Sequence, residues 1–425
     1  MLAAAMLGLA TIAPHSVLSQ VSGSVVELKS ADELNVRTIG GEEVRDFVGN
    51  VHFVQPAENG GVVNLWCDRA LQFVRLRRIE CYGNVKVTRD STILTAPEGT
   101  YYDGTRHAKM IKGVRLERPR MVLTALEGDY DTGEKRAHFR GTVVVTDSLS
   151  VTTCDDLTYF ESDDRSISVG HVSIIGRQDA VTVYGDSLVH YGAIDYTIVP
   201  LNPKLVQVDT SGAGRPDTLV VTSRMMEAFR DTSLRYVARD SVVLARDDLA
   251  AICGDAVYRP AEGLVILREQ PVVWYDVNQI SGDSIAVRLH HHRLESVYVH
   301  GRAMAISRAD TSFTARFDQL TGREITLYFS QGGIDRIEAE RQATSLYYLF
   351  DSNLPNGANK SSGDSIIVNF QDGLVDRIKV VGGVEGQYLP EPMIRGGREQ
   401  LYNLDGFKWY ADRPRRRGVT ITWEE

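Results

Sequence analysis

The stretch TAPEGTYYDGTRHAKMIKG (Thr95–Gly113) decides the reading, because its grammar returns at a fixed interval. Tyr101, Tyr130 and Tyr159 stand 29 residues apart. Thr95, Thr124 and Thr153 precede them by six positions, and Ala96, Ala125 and Cys154 by five. Ala108, Ala137 and Ser166 follow, then Gly113, Gly141 and Gly170. Matching small, aromatic and glycine slots at one period mark a repeated supersecondary unit, so the chain reads as an elongated array.

Glycines, or residues standing in for them, open short alternating runs at Gly49-Asn50-Val51, Gly83-Asn84-Val85, Gly113-Val114, Gly141-Thr142-Val143, Gly170-His171-Val172 and Gly301-Arg302-Ala303. In Val85-Lys86-Val87-Thr88 the valines face one way and the polar residues the other, the period-two pattern of a half-buried strand. Asp103-Gly104, Thr132-Gly133 and Glu262-Gly263 supply tight-turn chemistry. Beyond the leader, no twelve-residue window has a helical period. The expected fold is all-β, with Asp209–Pro216 and Asp351–Gly363 as loop insertions in a continuous array.

At 425 residues and 43% hydrophobic content the chain can bury a large core and is not disordered by composition. Its net charge of -9 argues against nucleic acid as a partner. Leu2–Ala13 carries no charge and has the length of a secretory h-region, too short to span a bilayer. Residues 1–19 read as a signal peptide with Gln20 first in the mature chain, although no Lys or Arg precedes the apolar run. Cys67, Cys81, Cys154 and Cys253 form no C-x-x-C, so neither a zinc site nor a thioredoxin-type motif is expected. Cys154 and Cys253 occupy alanine slots and read as small buried apolar residues. An oxidising compartment would allow a Cys67–Cys81 bridge.

Gly185-Asp186-Ser187-Leu188 spells a lipase-like nucleophile block. It recurs as Gly282-Asp283-Ser284-Ile285 and Gly363-Asp364-Ser365-Ile366, and Gly254-Asp255-Ala256 drops the serine. A catalytic serine is needed once, beside a base and an oxyanion hole, whereas a turn is needed in every repeat. These are read as structural turns. His290-His291-His292 lacks a third ligand at metal spacing and reads as a wet strand face. Asp155-Asp156, Asp163-Asp164 and Asp247-Asp248 read as turn residues. Arg415-Arg416-Arg417 reads as part of a solvated tail. No catalytic residue, metal or cofactor is expected.

The repeated grammar of Gly83-Asn84-Val85, Leu94-Thr95-Ala96, Gly99-Thr100-Tyr101, Leu123-Thr124-Ala125 and Gly128-Asp129-Tyr130 resembles the OstA-like family of lipopolysaccharide-transport proteins, the type of LptA, LptC and the LptD N-terminal domain. Weaker echoes cover most of residues 45–390. The resemblance implies an antiparallel β-jellyroll open along one side (a β-taco), a periplasmic location, lipid acyl chains in the interior, and end-to-end strand pairing with other jellyroll proteins of the same transport system. The chain is longer than a minimal bridge subunit, and its length leaves no room for a following outer-membrane barrel.

The expected groove lining is Val85, Val87, Val114, Leu116, Val143, Val145, Val172 and Ile174, where each methylene taken out of water gains roughly 0.8 kcal/mol. At about ten residues per strand and turn the array would hold about 39 strands and extend on the order of 90 Å. The expected division is residues 25–205 and 206–390 as successive parts of the jellyroll, with 391–425 a tail ending in one more strand, Gly418–Trp423. The leading function is a lipopolysaccharide-carrying bridge rather than an enzyme. The alternatives are a β-solenoid surface or carbohydrate-active protein and a structural outer-membrane assembly factor that binds no lipid.

Overall fold

The computed structural model describes residues 26–56, 61–177, 181–209, 217–230, 233–246, 249–290, 293–310, 313–330, 333–351, 354–371 and 374–415. The signal peptide, His291-His292, Asp247-Asp248, Arg416-Arg417 and the Gly418–Trp423 strand lie outside the described residues, as does all of the Asp209–Pro216 loop after Asp209. The described residues form 30 strands, paired antiparallel, and one turn of α-helix at Glu391–Ile394. They divide into two compact units, one ending at Leu201 and the other beginning at Asn202.

In the first unit Gly49, Gly83, Gly141 and Gly170 do not open strands but bend them, whereas Gly113 does precede the strand Val114–Arg118. Gly83-Asn84 lies inside the twelve-residue strand Arg78–Arg89, and Gly170-His171 inside Arg165–Gly176. Both residues of each pair have positive φ, as do Gly49-Asn50 and Gly141-Thr142. The ladder shifts register at each pair, with two residues opposing one, which turns the strand through a corner. Glycine is required at the first position: at Gly83 φ is +70°, and a Cβ there would collide with the Asp68 carboxylate. That carboxylate accepts a hydrogen bond from Asn84 Nδ2 at 2.9 Å, and Asp32 does the same for Asn50 at 2.9 Å. Because corners sit inside strands, the strands are longer and fewer than ten-residue bookkeeping gives: 30 among the described residues rather than about 39.

Several turn readings change for the same reason. Asp155 lies mid-strand over the Gly170 corner and accepts from His171 Nδ1 at 2.7 Å, while Asp156 faces His138 Nε2 at 3.2 Å. Asp283 and Asp364 of the Gly-Asp-Ser blocks lie over the corner glycines Gly301 and Gly382, and Arg302 Nε donates to Asp283 at 2.9 Å. Gly185-Asp186-Ser187 and Gly363-Asp364-Ser365 lie inside strands at corners of the sheet, whereas Gly282-Asp283 stands between two strands and does precede the one that begins at Ser284. Asp163-Asp164 does sit in a hairpin turn, between Phe160 and Arg165. Residues 354–363 of the expected Asp351–Gly363 loop are strand: Leu354–Gln371 pairs with Ala358 opposite Tyr348 and Gly363 opposite Ala343.

The 29-residue period is a row of directly paired residues. Tyr101 pairs Ala108, Ala108 pairs Tyr130, Tyr130 pairs Ala137, Ala137 pairs Tyr159, and Tyr159 pairs Ser166. Hairpin turns stack beside this row, each passing one backbone bond to the next: Asp103 N to Arg77 O at 2.9 Å, Thr132 N to Arg106 O at 3.0 Å, and Glu161 N to Lys135 O at 3.0 Å.

In the second unit the strand face that should be wet is instead covered. Residues 391–413, which contain no strand, run over Tyr348, Phe317, Ile306 and Trp274.

Candidate functional site

All eight residues expected to line the groove fall on two neighbouring rows of one wall of the first unit. Nearest the corners, the pairs are Val85 with Ala96, Val114 with Ala125, Val143 with Cys154, and Val172 with Gly185. The next row outward runs Phe53, Leu65, Val87, Leu94, Leu116, Leu123, Val145, Thr152, Ile174, Val183 without a gap in pairing. Val87, Leu116, Val145 and Ile174 alternate there with Leu65, Leu94 and Leu123, which the sequence reading left out. Their signal was present two positions before the small slot, in Leu94-Thr95-Ala96 and Leu123-Thr124-Ala125.

The eight belong to one apolar cluster; Val85, Val114, Val143, Val145, Val172 and Ile174 are buried, and Val87 and Leu116 pack against them. The opposite wall supplies Cys81, Met110, Phe139, Leu157 and Leu188. On that wall small and large residues alternate: Gly99 pairs Met110 and Gly128 pairs Phe139. A Cβ on Gly99 would lie 2.6 Å from Met110 Sδ and 3.5 Å from Val85 Cγ1, and one on Gly128 would lie 3.1 Å from the Phe139 ring and 3.5 Å from Val114 Cγ1. The two walls therefore touch, with the Met110 thioether and the Phe139 ring between them.

Cys67 and Cys81 are buried free thiols joined by a hydrogen bond, which pulls their pKa values apart, Cys67 below and Cys81 well above the ordinary thiol. Cys154 is a buried core thiol, pushed up to about 11 by burial.

Away from the corners the interior turns polar. Gln55, Arg89 and Arg118 follow Phe53, Val87 and Leu116 by two residues and so share their face. The tyrosine row meets them from the other wall. Gln55 Nε2 donates to Tyr101 Oη at 3.3 Å, and Arg89 hydrogen-bonds Tyr130. Tyr130 Oη donates to Glu161 at 2.9 Å and Tyr159 Oη to Asp164 at 3.1 Å. Burial pushes the phenols of Tyr130 and Tyr159 up, and nearby Glu161 and Asp164 push the same way. Burial lowers the Arg118 pKa against the pull of Tyr159, Glu161 and Asp164. The interior is thus an apolar trough roofed by a phenol–guanidinium–carboxylate seam. Such an arrangement offers apolar burial.

Residues 23–167 match the family model of OstA-like proteins. The match spans about a third of the chain, which over that segment is similar to the family. The match takes in the strands from Glu27–Ser30 to Ser150–Phe160 and three of the corner valines, Val85, Val114 and Val143. Among solved structures, the crystal structure of LptH from Pseudomonas aeruginosa is similar at 14% identity and a TM-score of 0.27, covering 33% of this chain and 95% of that one. It is described as the LptA homologous periplasmic component of a lipopolysaccharide transport device. No curated protein matches the chain. In the matched segment the repeated sequence grammar and the two apolar rows coincide: each Gly-Asn or Gly-Thr step is a corner, and the valine after it heads the inner row.

Proposed function

We propose that the chain is a non-enzymatic component of a periplasmic lipopolysaccharide-transport bridge and carries lipid acyl chains along the inner rows of its OstA-like segment. One observation carries this reading: an apolar row without a pairing gap through Phe53, Leu65, Val87, Leu94, Leu116, Leu123 and Val145, backed by a second row on the same face. A lipid tail lying along it would meet equivalent methyl groups at each strand, about 4.8 Å apart, and so would find no single deep minimum. Val85, Val87, Val114, Leu116, Val143, Val145, Val172 and Ile174 are the proposed contacts.

Since the walls touch through Met110 and Phe139, entry of a tail requires those two side chains to swing or the seam to part. Met110 is well suited to this, being unbranched and polarisable. Phosphates and sugars would stay outside, which fits a chain of net charge -9 that holds its cargo by the tails.

The test is a photo-crosslinking residue at Val143 in cells making labelled lipopolysaccharide, with Lys86 as the outward control. Adducts at 143 and none at 86 are expected, and Val143→Arg should abolish cargo at a neighbouring probe on Val114. Equal labelling at 143 and 86, or bare protein in both, would remove the lipid reading.

A further inference from the structure

The outer face of the second unit carries a fully buried row where the matching row of the first unit is only half-buried. Its directly paired residues run Ala245, Ala250, Trp274, Gln279, Ile306, Gln319, Leu346. The corresponding row of the first unit runs Asn64, Thr88, Ile93, Glu117, Val122, Thr146, most of it polar and none of it fully buried. Ala250, Trp274, Ile306 and Leu346 are buried, and so are two amides among them: Gln279 is 0% and Gln319 3% exposed. A buried primary amide is costly without partners.

Both amides spend donor and acceptor on one segment. Gln279 Nε2 donates to Lys408 O at 2.7 Å, and its Oε1 accepts from Tyr410 N at 2.8 Å. Gln319 Nε2 donates to Asn403 Oδ1 at 2.6 Å, and its Oε1 accepts from Leu404 N at 2.8 Å. Trp274 Nε1 donates to Tyr410 O at 3.2 Å. Between these clamps the segment seats its apolar side chains: Ile394 and Leu404 against Leu346 and Tyr348, and Phe407 and Trp409 on Phe317 with ring centroids 5.5 and 4.9 Å away. Arg316, 2% exposed, anchors the start by two hydrogen bonds to Glu391 at 3.1 and 2.6 Å.

The clamps from Trp274, Gln279 and Gln319 are all side chains of the sheet; at the two ends Glu391 also accepts from Gly357 N at 3.3 Å and Arg413 donates to Asp276 O at 3.0 Å. The strands beneath pair with one another without help from residues 391–413. Clamps that grip main-chain N–H and C=O, with pockets for alternate side chains, are how sheets read extended peptides.

We propose that the outer face of the second unit is a peptide-binding surface whose ligand is the chain's own segment 391–413, a strap able to leave without unpairing a strand. The occupant is fixed in register by Gln279 and Gln319, two strands apart, and in identity by Phe407 and Trp409. The inference is independent of what the first unit carries.

The test uses full-length protein. Phe407→Asp should make amides of 391–413 exchange at least about tenfold faster, a change of the size one lost net contact gives. The strands Val272–Tyr275 and Phe317–Ser330 should keep their protection. A fluorescent peptide of residues 391–415 should then bind the Phe407→Asp chain saturably, bind the unaltered chain at least about tenfold more weakly because its site is filled, and fail on Phe407→Asp combined with Gln279→Leu and Gln319→Leu. Loss of strand protection along with the strap would show an integral part of the core and overturn the proposal. So would a Phe407→Asp chain that releases the segment yet takes no peptide, or peptide binding that ignores the two glutamines. Gln279→Leu with Gln319→Leu alone gives the second reading: faster exchange confined to the strap supports a ligand, and no change overturns it.

Discussion

At Gly83 the corner can be tested atom by atom. An alanine there would hold φ near +70° at a cost of about 1–2 kcal/mol and press its methyl into the Asp68 carboxylate. Gly83→Ala should therefore lower stability by at least about 2 kcal/mol in urea titration. Adding Asp68→Ala should return part of that loss, because it removes the collision and leaves only the backbone term; strictly additive losses would show that the carboxylate does not pack over the glycine. Asp318 makes the opposite case, a residue whose surroundings work against it. Burial pushes its carboxyl up to about 7, only partly offset by a hydrogen bond from Tyr348 N at 2.8 Å. Its folded pKa lies above its unfolded one, so no penalty exists below pH ~4, it grows as pH rises from about 4 to about 7, and it stays constant above that. Asp318→Asn keeps the acceptor and removes the charge, so it should be neutral in thermal melts at pH 4 and stabilising by a few kcal/mol at pH 8. A stability difference that does not change between those two pH values would contradict the burial argument.

Between corners, the elements are matched by size. Phe139 lies over Gly128 and Met110 over Gly99, so each large side chain fills the room its paired neighbour leaves. Phe139→Ala should cost about 3–5 kcal/mol and Gly128→Ala about 1–3 kcal/mol. The combination Gly128→Ala with Phe139→Leu should lose less than the sum of its single changes in denaturant unfolding; full additivity would mean that the two side chains do not share space.

Part of this was legible in the sequence. The 29-residue period gave the tyrosine row, because a strand-and-return unit of constant length brings equivalent residues side by side. Alternation gave the inward faces of Val85 and Val87. The corners were misread as strand starts because a two-residue left-handed step and a hairpin turn draw on the same residues, Gly, Asn and Asp. Leu65, Leu94 and Leu123 were missed because the returning strands carry no glycine flag. The strap was invisible for a different reason: it has no period, since its register is set by side chains 84 to 131 residues away, such as Gln319 on Asn403 and Gln279 on Tyr410.

For the molecule as a whole, what matters is how a series of strands ends. In the first unit Glu33–Ile39 pairs only with Glu42–Pro56 among the described strands, and it exposes Leu34, Val36 and Ile39 on that edge. In the second unit Leu374–Val381 pairs only with Leu354–Gln371 among the described strands and exposes Leu374, with Val384 and Tyr388 exposed close by in sequence. Unpaired edges with apolar side chains invite another strand. For a transport bridge these edges are the proposed docking points for further jellyroll proteins, through main-chain pairing that needs little sequence identity. Proline at Val36 removes one edge donor and fixes φ where a ladder would need an extended residue, yet Val36 is 61% exposed and supports no core. Val36→Pro should thus leave the melting temperature within about 2 °C while reducing concentration-dependent assembly, with itself or with a jellyroll partner, at least about tenfold in sedimentation velocity. Leu374→Pro should do the same for the other edge, and the two effects should be separable by capping one end at a time. Assembly unchanged by both prolines would mean that the chain associates through its faces, and edge pairing would be ruled out as the means by which it joins a bridge.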